Sequence, residues 1–119
     1  MGRRPDGALE RDVMGVLWRA DASLTPAEVR EQLDAELAYT TVMTILARLH
    51  DKGRAYREPR GRAFAYSAAV SEPELVADQM NAVLLSASDR VGVLGGFVGG
   101  LSKGDRAALR RLLEKKEPR

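Results

Sequence analysis

The sequence predicts a mainly α-helical fold with a small β-hairpin wing: a winged helix-turn-helix followed by a C-terminal helical dimerisation region. Three observations predict it. Apolar residues recur at helical spacing in three short blocks that end at Gly53. A segment rich in arginine and aromatics, broken by Pro59 and Gly61, then reads as a hairpin. Beyond it, about 50 residues return to helical periodicity, too few to fold as a separate domain.

The first helix is expected over Ala8–Ala20, where Leu9, Val13, Val16 and Leu17 recur at spacings of four and three, with Trp18 beside them closing the helix against the hairpin. Asp21-Ala22-Ser23-Leu24 breaks the pattern. Thr25-Pro26-Ala27-Glu28 then supplies a cap, a proline suited to the first helical position and the acid of a capping box. Val29 and Leu33 give this second helix its buried face, and it should end near Glu36. The third helix should begin at Tyr39–Thr40 and run to Lys52, with Gly53 as its stop. Val42, Ile45, Leu46 and Leu49 form its apolar stripe, opposite Thr41, Thr44 and Arg48. Arg54–Glu58 and Arg62–Ser67 read as two strands around Pro59-Arg60-Gly61.

Ser71-Glu72-Pro73-Glu74 repeats the capping-box logic and opens a long helix reaching about Ser88. The stretch Val91–Leu101 is apolar but holds Gly92, Gly95, Gly96, Gly99 and Gly100. Interior glycines cost about 1 kcal/mol each in a helix, so a marginal or broken helix is expected there. Ser102 caps a last helix over Asp105–Lys116. Residues 1–68 are therefore expected to form the winged-helix domain and residues 69–119 the helical dimerisation region, with Leu75, Met80, Val83, Leu84, Leu109 and Leu112 against a second copy. Folding of these helices back onto the same winged helix is the alternative.

Composition narrows the function. Aromatics make up 5% of the 119 residues, so the core must be aliphatic. There is no cysteine, which excludes disulfides, thiol catalysis and zinc fingers. The single histidine, His50, has no nucleophile or partner base in a recognisable motif; a surface or phosphate-facing place suits it. No catalytic, cofactor or metal site is expected. The glycine pairs do not make a phosphate loop, because no strand precedes them and no Lys-Ser/Thr follows. Met1-Gly2-Arg3-Arg4-Pro5-Asp6 lacks the apolar stretch of a signal peptide and no run approaches a membrane span, so a cytoplasmic protein is expected.

The net charge of +2 is small, but it is unevenly distributed. Asp21–Ala38 holds five acids and one base, a net −4; Arg48–Arg62 holds six bases and two acids, a net +4. The third helix carries Thr40, Thr41 and Thr44, poor helix formers where packing does not require them. Hydroxyls that bond phosphates or base edges, with Arg48 reaching guanine or phosphate, account for that choice. An ordinary solvated face is the alternative. Arg57, Arg60 and Arg62 cluster at the hairpin, where a basic loop lies along the phosphate backbone or enters the minor groove. The expected partners are double-stranded DNA and a second copy of the chain. A winged helix that binds only protein is a rival reading; a small enzyme lacks any acid–base or nucleophile constellation.

The run Tyr39-Thr40-Thr41-Val42-Met43-Thr44-Ile45-Leu46-Ala47-Arg48-Leu49, followed by Lys52-Gly53, resembles the recognition-helix signature of the penicillinase-repressor (BlaI/MecI/CopY) family. Val13-Met14-Gly15-Val16-Leu17-Trp18, Leu24-Thr25-Pro26-Ala27-Glu28-Val29 and Gly61-Arg62-Ala63-Phe64-Ala65-Tyr66-Ser67 support it, so the similarity spans nearly the whole chain. The resemblance implies a homodimeric winged-helix repressor on a dyad operator, controlling β-lactam resistance-type genes. It places Thr41, Thr44 and Arg48 in the major groove and makes Arg60 and Arg62 wing contacts. It also implies a sensor-linked protease that cuts the repressor before a phenylalanine in the dimerisation region. Gly96-Phe97 is the matching pair, with glycine where well-known members have asparagine. The copper-responsive branch carries a C-terminal cysteine cluster, which this chain lacks.

Overall fold

The computed structural model describes residues 7–34 and 36–116. The N-terminal hexapeptide weighed as a signal peptide and the last residues of the Lys115–Arg119 tail lie outside the described residues. The element order is α1 (Ala8–Arg19), α2 (Pro26–Gln32), α3 (Tyr39–Asp51), β1 (Ala55–Arg60), β2 (Ala63–Ala68), α4 (Glu72–Ser86), α5 (Arg90–Gly99) and α6 (Lys103–Lys116). This is a winged helix-turn-helix with further helices after the wing. The chain divides into two compact units, one ending at Gln79 and the other beginning at Met80.

The first unit is built on an aliphatic core. Val13, Met14, Val16 and Leu17 of α1 meet Val29 of α2 and Val42, Ile45, Leu46 and Leu49 of α3, closed by Ala55, Tyr66 and Leu75. Leu75 was expected at a dimer interface, but it is fully buried inside the single protomer and cannot reach a second copy. The start of α4 thus completes this core, capped as Ser71 and Glu74 exchange hydrogen bonds with each other's backbone N–H groups (2.8 and 3.2 Å). Trp18 Nε1 donates to the Val70 carbonyl at 2.8 Å, tying α1 to the segment before α4.

Arg54 is a buried charged side chain at 8% exposure. Its Nη1 lies 2.7 Å from Glu10 Oε1, which shares its carboxylate with Lys52 Nζ at 3.1 Å. Burying a guanidinium is tolerable when it is paired in this way. Gly53, at φ 77°, ends α3 and sends the chain into β1.

In the first unit, the end of α2 and the hairpin turn differ from expectation. Helix α2 ends at Gln32 rather than near Glu36. Leu33 leaves the helix in an extended conformation, and Arg30 Nε holds the Leu37 carbonyl at 2.9 Å. Leaving the helix at Leu33 lets both Leu33 and Leu37 pack on the core. In the hairpin, Pro59 sits within β1 opposite Phe64, and the turn is Gly61-Arg62. The pair closing a two-residue turn, Arg60–Ala63, is hydrogen-bonded, so the next pair does not need the N–H that proline lacks. Gly61 has φ 60° and among the described residues no residue other than glycine has positive φ, so Arg62 follows with negative φ, the sign pattern of a type II′ turn. On the far side of β2, Leu24 exchanges two backbone hydrogen bonds with Tyr66 (2.9 and 2.7 Å), adding a one-residue third strand.

The second unit corrects a further expectation: α5 is a continuous helix despite its glycines. Asp89 caps it, accepting from the Gly92 N–H at 2.9 Å. Gly100 ends it by donating to the Gly96 and Phe97 carbonyls. Ser102 Oγ accepts from the Asp105 N–H at 3.1 Å and starts α6, two residues before the expected Asp105. No helix among the described residues is long and apolar enough to cross a membrane.

Candidate nucleic-acid interface

Helices α2 and α3 form the helix-turn-helix. The capping box that starts α2 is complete: Thr25 Oγ1 accepts from the Glu28 N–H (3.3 Å) and Glu28 Oε1 accepts from the Thr25 N–H (2.9 Å). With Val42, Ile45, Leu46 and Leu49 turned into the core, the opposite side of α3 presents Thr40, Met43, Thr44 and Arg48 to solvent. Thr41 is half-buried at the border between the two faces. The Thr44 hydroxyl donates to the Thr40 carbonyl at 2.9 Å. Its proton is thereby committed, and its oxygen is left as an acceptor of the kind that suits an exocyclic amino group on a base edge.

One feature of α3 escaped the sequence reading. Helices α2, α4, α5 and α6 each begin on a side chain that accepts a first-turn N–H. Helices α1 and α3 begin with no side-chain cap; α1 has Glu10 in its first turn, whereas α3, which begins after Ala38, has no acid there. Its leading N–H groups are therefore left to solvent or an anion, as at helix ends that meet phosphate. The signal was visible as Ala38-Tyr39, where a Ser, Thr, Asp or Asn would have been the usual start. Met43, an apolar residue out of phase with the core stripe, is a second signal that was passed over.

The wing arginines are not equivalent. Arg60 Nη2 donates to the Ser23 carbonyl and hydroxyl (2.9 Å each), and Nη1 lies 3.2 Å from Glu28 Oε1. Arg60 thereby fastens the wing to the start of α2. The N–H of Thr25 holds the Glu28 carboxyl below its ordinary value, with the Thr25 hydroxyl and the Arg60 charge acting the same way and partial desolvation opposing them. Arg57 lies over the Phe64 ring, 4.1 Å from its centre. Arg62 is exposed in the turn. His50 is half-exposed at the end of α3; its Nδ1 is enclosed without a hydrogen bond, 3.6 Å from Asp51 Oδ1.

The second unit carries the other expected residues. Met80, Val83 and Leu112 are exposed, while Leu84 and Leu109 are half-buried. Gly96 and Phe97 lie on α5, both exposed. Leu85, Val91, Val93, Leu94, Val98 and Leu113 are exposed as well.

A family model described as penicillinase repressor matches residues 7–115. The chain is 40% identical over 116 residues to the transcriptional regulator BlaI of Mycobacterium tuberculosis, covering 93% of this chain and 84% of that protein. The same identity and coverage hold for that regulator in two strains. Among solved structures, a mutant of S. aureus MepR superposes with a TM-score of 0.50 at 19% identity, over 91% of this chain and 75% of that one. The apo form of E. coli MarR gives 0.48 at 23% identity, over 93% of this chain and 78% of that one.

Proposed function

We propose a homodimeric, sequence-specific repressor of transcription, proceeding from the premise that this chain belongs to the penicillinase repressor family of transcriptional regulators. The observation that carries the proposal is the outward side of α3. Thr40, Thr44 and Arg48 stand exposed on it beside a helix start that no side chain caps. A recognition helix enters the major groove with its N-terminal residues at the base edges. Thr40, Thr41 and Thr44 occupy that end, and Arg48 lies one turn further on. Arg62, together with the Arg60 that braces the wing, brings positive charge to the adjacent phosphates.

Binding to a two-fold operator is supported by the exposed apolar residues of α4, α5 and α6, which a second copy would cover. Two modest half-site contacts then combine into one strong one. The regulated genes are of the β-lactam resistance type or related to it, and a sensor-linked protease releases the repressor by cutting at Gly96-Phe97. Cleavage there requires α5 to open locally, which interior glycines make easy, each weakening a helix by about 1 kcal/mol.

The proposal is tested by selecting duplexes from a random-sequence pool with the full chain and titrating the enriched duplex in gel shifts. The expected result is an enriched dyad, bound far more tightly than scrambled DNA and with affinity falling steeply as salt rises. A pool that yields no preferred sequence would overturn the reading.

A further inference from the structure

We propose that Met43 is a specificity-determining residue that packs its thioether end against the C5-methyl group of a thymine. The inference rests on the DNA-binding reading of α3 and adds to it a base preference.

The apolar residues of α3 fall into two sets. Val42, Ile45, Leu46 and Leu49 are at most 6% exposed and are accounted for by the core. Met43 is 44% exposed and has no place in that core. On a helix, its neighbours along the surface are Tyr39 and Thr40, four and three residues before it, and Ala47, four residues after it. With Thr44 and Arg48 beside them, Met43 and the 39% exposed Tyr39 one turn before it make a small apolar spot on an otherwise polar surface. It lies in the second turn of the helix, the part that a helix-turn-helix brings closest to base edges.

The chemistry of the side chain restricts what it can read. A thioether donates no hydrogen bond and accepts only weakly, so phosphate oxygens and amino groups gain nothing from it. The major groove offers one apolar group, the thymine methyl. An unbranched, polarisable side chain with three rotatable bonds can adapt its end to that methyl as the helix settles. A protein partner would call for a wide apolar patch. Here one methionine and one tyrosine, whose ring carries a hydroxyl, are framed by two threonines and an arginine, and the chain from Arg48 to Arg62 carries a net +4.

Replacing thymine by uracil removes the methyl and leaves every groove hydrogen bond in place. The duplex enriched from the random pool is made with each thymine changed to uracil in turn, and each version is titrated with the full chain. One position in each half-site is expected to lose affinity about three- to fivefold, the effect of losing one buried methyl-sized contact. Met43→Ala should bind the parent duplex more weakly and lose its response to uracil at that position. Met43→Leu should keep the response. Because Met43 is exposed, circular dichroism should show both variants folded like the wild type. If no thymine position responds in the wild type, or if Met43→Ala responds as strongly as the wild type, the assignment is wrong. A pool with no enriched duplex at all would instead strike the DNA-binding reading on which it rests.

Discussion

In the first unit, Val13, Met14, Val16, Val29, Leu46 and Leu49 are all fully buried within one protomer. In the second unit, Val91 is 80% exposed and Leu113 63%, and Leu94, Phe97 and Val98 are exposed too. The two units use similar apolar residues, yet one covers them itself and the other leaves them open. Hydrophobic burial of about 25 cal/mol per Å² stabilises a fold only where the area is actually removed from water. The first unit is therefore stabilised by its own core. The second acquires comparable stabilisation when something covers it, which under the proposed function is a second copy. The difference also separates tasks: a self-sufficient unit can present α3 rigidly, whereas an open one can couple assembly to occupancy of the operator.

The sharpest way to break this comparison is to damage the closed core. Leu46→Ala should lower unfolding stability by about 2–5 kcal/mol, the cost of a cavity in a packed interior, as read from urea unfolding followed by circular dichroism. The corresponding change at exposed Leu113 should leave the stability of a dilute, monomeric sample nearly unchanged and raise the dimer dissociation constant. Equal effects at the two sites would mean that the units do not differ as described.

Next in size is Arg48→Ala. Arg48 is exposed on α3, so the fold should survive while operator affinity falls by about 1–3 kcal/mol, as expected for loss of a base- or phosphate-directed arginine. A gel-shift titration indistinguishable from wild type would remove Arg48 from the interface.

Most of the first unit is legible in the sequence because its signals are local and redundant. Thr25-Pro26-Ala27-Glu28 and Ser71-Glu72-Pro73-Glu74 each state a helix start twice, and both boxes form. Val42, Ile45, Leu46 and Leu49 allow no other helical face to be buried. What was not legible depends on distant partners. The end of α2 is decided by the core that receives Leu33 and Leu37, and the place of Pro59 by the pairing parity of a turn two residues away. Continuity of α5 was misjudged because propensity counts the glycines but not the Asp89 cap and the Gly100 terminus around them. Thr44 and Arg48 are exposed on α3 where the apolar stripe leaves them, but its missing cap is an absence, which pattern searches overlook.

The glycines of α5 offer a finer test. A Cβ added at Gly95 or Gly96 would meet nothing within 4 Å in the protomer. For a lone helix, each change to alanine should therefore stabilise by about 1 kcal/mol. If a second copy packs its backbone close to this surface, the added methyl should instead weaken assembly. Gly95→Ala and Gly96→Ala are expected to raise the dimer dissociation constant in sedimentation equilibrium. A tighter dimer would show that the glycines serve to loosen the helix rather than to admit a neighbour.

The smallest effect concerns the brace between wing and helix-turn-helix, and its sign follows from Glu28. The carboxyl of Glu28 titrates below its ordinary 4.5 in the folded chain, chiefly because it accepts the Thr25 N–H and also because it faces Arg60. A lowered folded value means that the unfolded chain takes up this proton first. The contribution of Glu28 to stability is then fully present above about 4.5 and disappears as pH falls through the lower, folded value. Glu28→Gln keeps an acceptor for the Thr25 N–H, so the capping box survives, but it removes the charge opposite Arg60. Unfolding stability measured from neutral to acid pH should thus decline less steeply in Glu28→Gln than in the wild type. The two curves should converge at the acid end, where Glu28 is protonated in both the folded and the unfolded wild-type chain. If the acid limbs run parallel, the ion pair does not fasten the wing. Arg60 would then be held at the helix-turn-helix by the Ser23 carbonyl and hydroxyl rather than by the Glu28 charge.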